Sequence, residues 1–354
     1  MVIFDQGHAL VVGAGADLPN TVDDAVGLAN ILQDPTRCAY PPGQVHLLTG
    51  SEATRDALLA ALDTLTQTAN QQSTVVVYFS GHGYRVTSSI GEFYYLLPYG
   101  YELARLYQTA ISGVEFTDRL RAISAQKLLV LLDCCHAGGV GESKSPGLQL
   151  AKSPLPPEAP GFLAEGSGRV LIASSQEDEV SFAGRPYSAF TLALIEALSG
   201  AGVAKKDGYV RVADLALHTR QVVPGRTRDR QHPILHFEQA DNFRLAYYAG
   251  GETQPKGTPL VSPPEIEPEP GAWAARYIAG HVGGQVVTGD GNLVIQVGDV
   301  HGGAVNVAMG SQMPPPSGVG SQAPEGASLL CSACNRQLRS GARFCPWCGK
   351  PVHN

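Results

Sequence analysis

Leu128-Leu129-Val130-Leu131-Leu132-Asp133-Cys134-Cys135-His136-Ala137-Gly138 is an aliphatic run that ends abruptly on an acid, two thiols, an imidazole and a small-residue turn. An unbroken apolar run of this length, closed by turn residues, marks a strand buried on both faces, the kind found in parallel sheets. Residues placed directly after such a strand lie at its carboxyl end, where open α/β sheets hold their reactive groups. A second run of the same kind, Val75 to Phe79, leads into Ser80-Gly81-His82-Gly83.

Working outward, further apolar runs occur at Ala9 to Val12, Val45 to Leu48, Val170 to Ala173 and Ile234 to Phe237. Helical periodicity falls between them, over Thr21 to Leu32, Thr54 to Thr68, Phe116 to Ile123, Ala189 to Leu198 and Val212 to Val222. Thr54 and Thr117 read as N-caps, and Gly200 as a stop. Strands alternating with helices predict an α/β fold: a mostly parallel sheet with helices on both faces.

A His and a Cys at neighbouring strand ends can meet in space although 53 residues separate His82 from Cys135. A thiol needs a base or an imidazolium partner to act as a nucleophile near neutral pH. Backbone N–H groups at a glycine-rich turn can then receive the oxyanion of acyl transfer. Gly13-Ala14-Gly15 lacks the third glycine of a dinucleotide fingerprint, since position 18 is Leu. Neither a Walker A loop nor a Gly-x-Ser-x-Gly elbow occurs. Cys38 reads as structural.

The pair Ser80-Gly81-His82-Gly83 and Asp133-Cys134-Cys135-His136-Ala137-Gly138 resembles the catalytic motifs of caspase-like cysteine peptidases, in the metacaspase and bacterial orthocaspase branch, over roughly residues 8–240. Ala137 stands where that family usually has Ser. The resemblance implies a caspase-like sheet and cleavage of protein or peptide substrates. It makes Cys135 the nucleophile and His82 the general base, with the Gly83 and Cys135 amides as oxyanion donors and Cys134 packed inward. It implies an acidic pocket for a basic (Arg or Lys) residue on the amino side of the cut bond, built on Asp133 with Asp17 and Asp178 as companions. Residues 138–168 correspond to the linker between large and small subunits, a candidate processing loop carrying Lys144 and Lys152. The family's calcium sites use clustered aspartates. After Cys135 only Glu142 stands near such a place, and Ile111 to Asp118 holds no adjacent acidic pair, so Ca²⁺ is expected not to be required.

Composition changes near residue 248. Residues 250–330 hold 10 of the 25 prolines and 16 of the 41 glycines, too little apolar material to offset ordering entropy. The expected organisation is therefore a peptidase domain at 1–247, a Pro/Gly-rich linker at 248–330 with a hairpin signal at 284–297, and a small C-terminal module at 331–354. Cys331-x-x-Cys334 and Cys345-x-x-Cys348 give four thiolates at zinc-ribbon spacing, so a structural Zn²⁺ is expected.

Lys+Arg 25 against Asp+Glu 32 gives net −7, which disfavours nucleic acid as a partner. The tail instead suits docking of a protein partner. Apolar runs fall short of the ~20 residues a membrane span needs. The opening Met1-Val2-Ile3-Phe4-Asp5 shows no leader, so a cytoplasmic setting is expected, in a bacterial regulatory, cell-death or defence process. A competing reading is an inactive adaptor of the same fold that recruits partners through its tail.

Overall fold

The computed structural model describes residues 2–15, 18–88, 91–134, 149–152, 168–176, 179–237, 242–260, 262–267, 285–289, 292–300 and 303–309. The chain divides into two units, Met1–Ser311 and Gln312–Asn354. The second unit, with all four tail cysteines, lies outside the described residues, as do Cys135, Asp17, Asp178 and Glu142.

Six strands make the central sheet: β1 (Gly7–Gly13), β2 (Val45–Thr49), β3 (Thr74–Ser88), β6 (Lys127–Cys134), β8 (Arg169–Ala173) and β11 (Ile234–Phe237). Their order is β11-β8-β6-β3-β1-β2. All pair in parallel except β11, which runs antiparallel to β8. The mostly parallel α/β sheet read from the aliphatic runs is the one observed. Between the strands lie α1 (Asn20–Gln33), α2 (Arg55–Thr68), α3 (Leu106–Thr109), α4 (Gly113–Ala122), α5 (Ala189–Leu198) and α6 (Val212–Arg226).

Strand alternation splits the core in two. On one face Ala9, Val11, Val76, Tyr78, Leu129 and Leu131 pack with Leu28, Ile31, Phe190, Leu194 and Leu215 from α1, α5 and α6. On the other, Leu10, Val12, Val75, Val77, Leu128, Val130 and Leu132 meet Leu58, Leu62, Phe116 and Leu120 from α2 and α4. The apolar runs are thus buried on both sides, which is why they carry no polar alternation.

Two local expectations need correction. The helix read as starting at Phe116 starts at Gly113, and its cap is Ser112, whose Oγ accepts from the Glu115 N–H at 3.1 Å, while Thr117 is buried inside it. Ser-x-x-Glu is the sequence pattern of a capping box, a stronger start signal than a lone Thr, although here the Glu115 carboxylate accepts from Arg55. Thr54 does cap α2, accepting from Ala57 N–H, a contact worth about 1 kcal/mol. Second, β3 does not end at Phe79 but runs on to Ser88, pairing antiparallel with β4 (Gly91–Leu97) from His82 onward. Within the segment expected as the subunit linker, β7 (Gln149–Lys152) pairs with Tyr84–Thr87, setting Lys152 opposite Tyr84. A short strand β5 (Ile111–Ser112) completes this arm against β4.

Past α5, β10 (Tyr209–Arg211) pairs with β12 (Arg244–Tyr247). The chain then returns to form β13 (Glu265–Ile266) on β9 (Gly184–Arg185). Further along, β14 (Gln285–Gly289), β15 (Asn292–Val300) and β16 (Gly303–Met309) form a three-stranded antiparallel sheet. Among the described residues no helix is long and apolar enough to cross a membrane.

Candidate active site

The two motif strands are neighbours. β3 and β6 pair in parallel up to Ser80↔Asp133 and Gly81↔Cys134. One residue later β3 changes partner, and His82 stands opposite Leu97 of β4. His82 therefore sits where the parallel sheet gives way to the antiparallel arm. It is 3% exposed, edge-on to the rings of Tyr84 and Tyr101 at 6.1 and 6.4 Å. Gly81 is a packing requirement: a Cβ there would come within 2.9 Å of Ala14 Cβ and the Phe79 ring. Gly83, the expected oxyanion donor, is in register with Leu96. Cys135 follows the last described residue of β6 in sequence and is itself outside the described set.

The two residues before it face opposite ways. Cys134 joins the apolar core of the α2/α4 face, with its Sγ 3.6 Å from the Tyr94 hydroxyl, and burial pushes its thiol up to about 12. A thiol held so far from ionisation is a poor nucleophile at neutral pH. Cys38 is likewise buried, and burial raises it further.

Asp133 lies on the other face, fully buried. Its Oδ1 accepts from Ser181 Oγ at 2.8 Å, and its Oδ2 from Ser188 Oγ at 2.6 Å and Thr191 Oγ1 at 3.3 Å. Ser188 is also the N-cap of α5, receiving the Thr191 N–H at 3.0 Å, so the positive end of that helix is aimed at the carboxylate. The Ser188 N–H donates at 2.7 Å to Oδ1 of a second buried acid, Asp24 of α1.

Asp24 is the site residue that sequence reasoning missed. Its other oxygen, Oδ2, is buried and has no hydrogen-bond partner among the described residues. Burial, and then repulsion by Asp133, raise its pKa well above the ordinary carboxylate value. Burial also raises Asp133, against the hydrogen bonds that stabilise its charge. Asp17, the expected companion acid in the loop after β1, lies outside the described residues, whereas Asp24 stands one turn into α1. A signal was present: Thr21, Asp24, Leu28 and Ile31 share one helical stripe, so an acid occupies a position that should be apolar. Beside it, Tyr187 lies against Gly27, where a Cβ would come 2.2 Å from the ring.

The loop that supplies Ser181 and Ser188 is held from below. Gln231, wholly buried, donates from Nε2 to the Ser174 carbonyl at 2.9 Å and to Ser181 Oγ at 3.2 Å, and accepts from the Phe182 N–H at 2.9 Å. The next residue, His232, is clasped between Glu179 Oε1 at 2.6 Å on Nδ1 and Asp229 Oδ1 at 3.0 Å on Nε2. The Glu179 contact, with that of Asp229, holds the imidazole pKa above its usual value.

Comparison with known proteins completes the picture. No curated protein matches the chain. Among solved structures, the chain is similar to a crystal structure of a Geobacter sulfurreducens protein at 16% identity and a TM-score of 0.46, over 70% of this chain and 99% of that one. The model of the family described as Caspase domain matches residues 6–244, a span that begins at β1, takes in both motif strands and the serine loop, and ends at β12. On the strength of that match over most of its length, the chain belongs to the caspase-domain family of cysteine peptidases.

Proposed function

We propose that this chain is a cysteine endopeptidase that cuts after Arg or Lys. Cys135 is the nucleophile, and His82 takes its proton and delivers it to the leaving amine. The Gly83 and Cys135 amides receive the oxyanion. Attack of the thiolate on the carbonyl carbon forms the thioester and expels the amine, and water then releases the acid.

The observation that carries the specificity is the Asp24–Asp133 pair. Two fully buried carboxylates share one serine, repel each other, and leave one oxygen without a partner. Desolvated charge is stable only when paired, and among the described residues the groups that bond these two carboxylates are hydroxyls and a main-chain N–H, not cations. A guanidinium or ammonium arriving on a substrate supplies that missing charge, bidentate in the case of Arg. Asp178 and Asp17 remain proposed contributors at the rim. Cleavage of paired peptides ending in Arg, Lys or Asp tests this. Turnover of the basic pair alone is expected, lost in Cys135→Ala, and a preference for Asp would refute it.

The four tail cysteines are proposed to hold one structural Zn²⁺, leaving the tail as the docking element for a protein partner, and activity is proposed to be independent of Ca²⁺. Domain limits at 247 and 331 follow the same reading, with the compartment taken as cytoplasmic.

A further inference from the structure

With Asp133 read as the pocket acid, the main-chain edge adjoining it is the loop that supplies Ser181 and Ser188, whose hydroxyls bond the carboxylate. Extended peptides dock on such an edge by adding a strand. That edge is already taken. β13 pairs antiparallel with β9, Glu265 opposite Arg185 and Ile266 opposite Gly184, and the Glu267 N–H donates to the Ala183 carbonyl at 3.0 Å. Ala183 is two residues from Ser181. The approach depends on Gly184, since a Cβ there would stand 2.7 Å from the Glu265 carbonyl oxygen and 2.8 Å from Ile266 Cδ1. Ile266 anchors the segment on the cluster of Phe182, Ala189, Ala193 and Val223, so its seat adjoins the residues that position Ser181.

We propose that residues 262–267 are a self-docked strap that occupies the main-chain edge of the substrate site and competes with substrate for it. This rests on the reading of Asp24 and Asp133 as the pocket for a basic side chain. Two properties suit the strap to the role. Its ladder is short, two residues with one flanking main-chain hydrogen bond beside the half-buried Ile266 and Glu267. The strap is reached through mostly exposed residues at 251–260 and 262–264, so it opens at lower cost than the core strands. It also offers nothing to cut, because no Lys or Arg occurs between Lys256 and Arg276. The same placement gives a partner engaging the tail a means of control: tension on the chain past residue 267 peels the strap from β9.

The test uses the full chain with two strap substitutions. Glu267→Pro removes the N–H that bonds Ala183, and Ile266→Ser removes the anchor. Binding of a blocked tetrapeptide amide ending in Arg is measured in the Cys135→Ala background, and of a single blocked arginine amide beside it by ligand-observed NMR; cleavage is followed in parallel with Cys135 intact. If the strap fills the edge most of the time, freeing it tightens tetrapeptide binding by about three- to tenfold, the inverse of the open fraction. The arginine amide, which does not reach the edge, stays unchanged. An unchanged tetrapeptide Kd overturns the strap, as does an equal shift for both ligands or no tetrapeptide binding by any form. Tighter tetrapeptide binding without cleavage would keep the strap and sink the peptidase reading. Cleavage with an unchanged Kd would do the reverse. Should one variant fold poorly, a synthetic peptide of residues 262–267 added to the other, in the Cys135→Ala background, is expected to compete with the tetrapeptide, and failure to compete counts against the strap.

Discussion

At the scale of single residues, the site sorts by strand parity. Asp133 and Cys134 are adjacent yet lie on opposite faces of β6, one among hydroxyls and the other in oil. Cys134→Ala should therefore keep most peptidase activity and cost stability, about 1 kcal/mol for a small buried group. Cys135→Ala and His82→Ala should each abolish cleavage, read on a basic peptide against thermal unfolding as the folding control. The buried acids give a sharper contrast. A carboxyl with a raised pKa holds its proton more tightly folded than unfolded, so ionising it destabilises the fold. Stability from this source is present at low pH and is lost as pH climbs from 3.8 through the raised values. Asp24→Asn should flatten that loss and raise Tm at neutral pH by about 2–4 °C, the effect of about 1 kcal/mol in a domain of this size. The same change should lower kcat/KM on Arg peptides by roughly thirtyfold or more, since a buried charge partner is worth about 2–5 kcal/mol. A variant both less stable and equally active would contradict the pairing of these acids with substrate.

At the scale of elements, the clasp on the serine loop is the testable unit. Arg228 and Asp229 take left-handed backbone, φ 55° and 61°, conformations that cost non-glycine residues energy and persist only where surroundings impose them. The imposing contacts are Gln231 inside and the His232–Glu179–Asp229 clasp outside. A histidine with a raised pKa contributes stability that is complete below about 6.5 and is lost as pH rises through the folded value. His232→Gln should remove that part of the pH dependence of Tm, the loss that sets in above about pH 6.5 as the raised folded value is crossed. Gln231→Leu should act differently, loosening Ser181 and raising KM more than it lowers kcat. The sequence made the strands and most helices legible, because their aliphatic runs and periodicity are local. It concealed what depends on pairing. Nothing local says that β3 continues past Phe79 onto a new partner, or that Gln149 to Lys152 will find that arm. Asp133 could be read from its place in a motif, whereas Asp24 acquires meaning only when α1 packs beside α5 and Ser188 bonds both acids.

For the molecule as a whole, the family match ends at 244, and every residue proposed for the peptidase site falls within it. Removing metal from the tail should thus leave peptide cleavage intact, with metal analysis returning one zinc per chain before treatment and none after. Cleavage titrated against free Ca²⁺ with a chelator control should stay flat, and a steep rise would show that acids outside the expected positions bind it. The position of the strap in the chain also fixes an order in time. β13 is encoded after every element it covers, and the domain's last paired strand, β12, ends at Tyr247. At translation rates of about 5–20 residues per second, Glu267 follows Tyr247 off the ribosome by about 1–4 s. A guard placed at the front of a chain is in position before the enzyme it restrains. Here the blade is made before its sheath: the chain of the cleft is complete in each new copy while the strap proposed to cover it is still being synthesised.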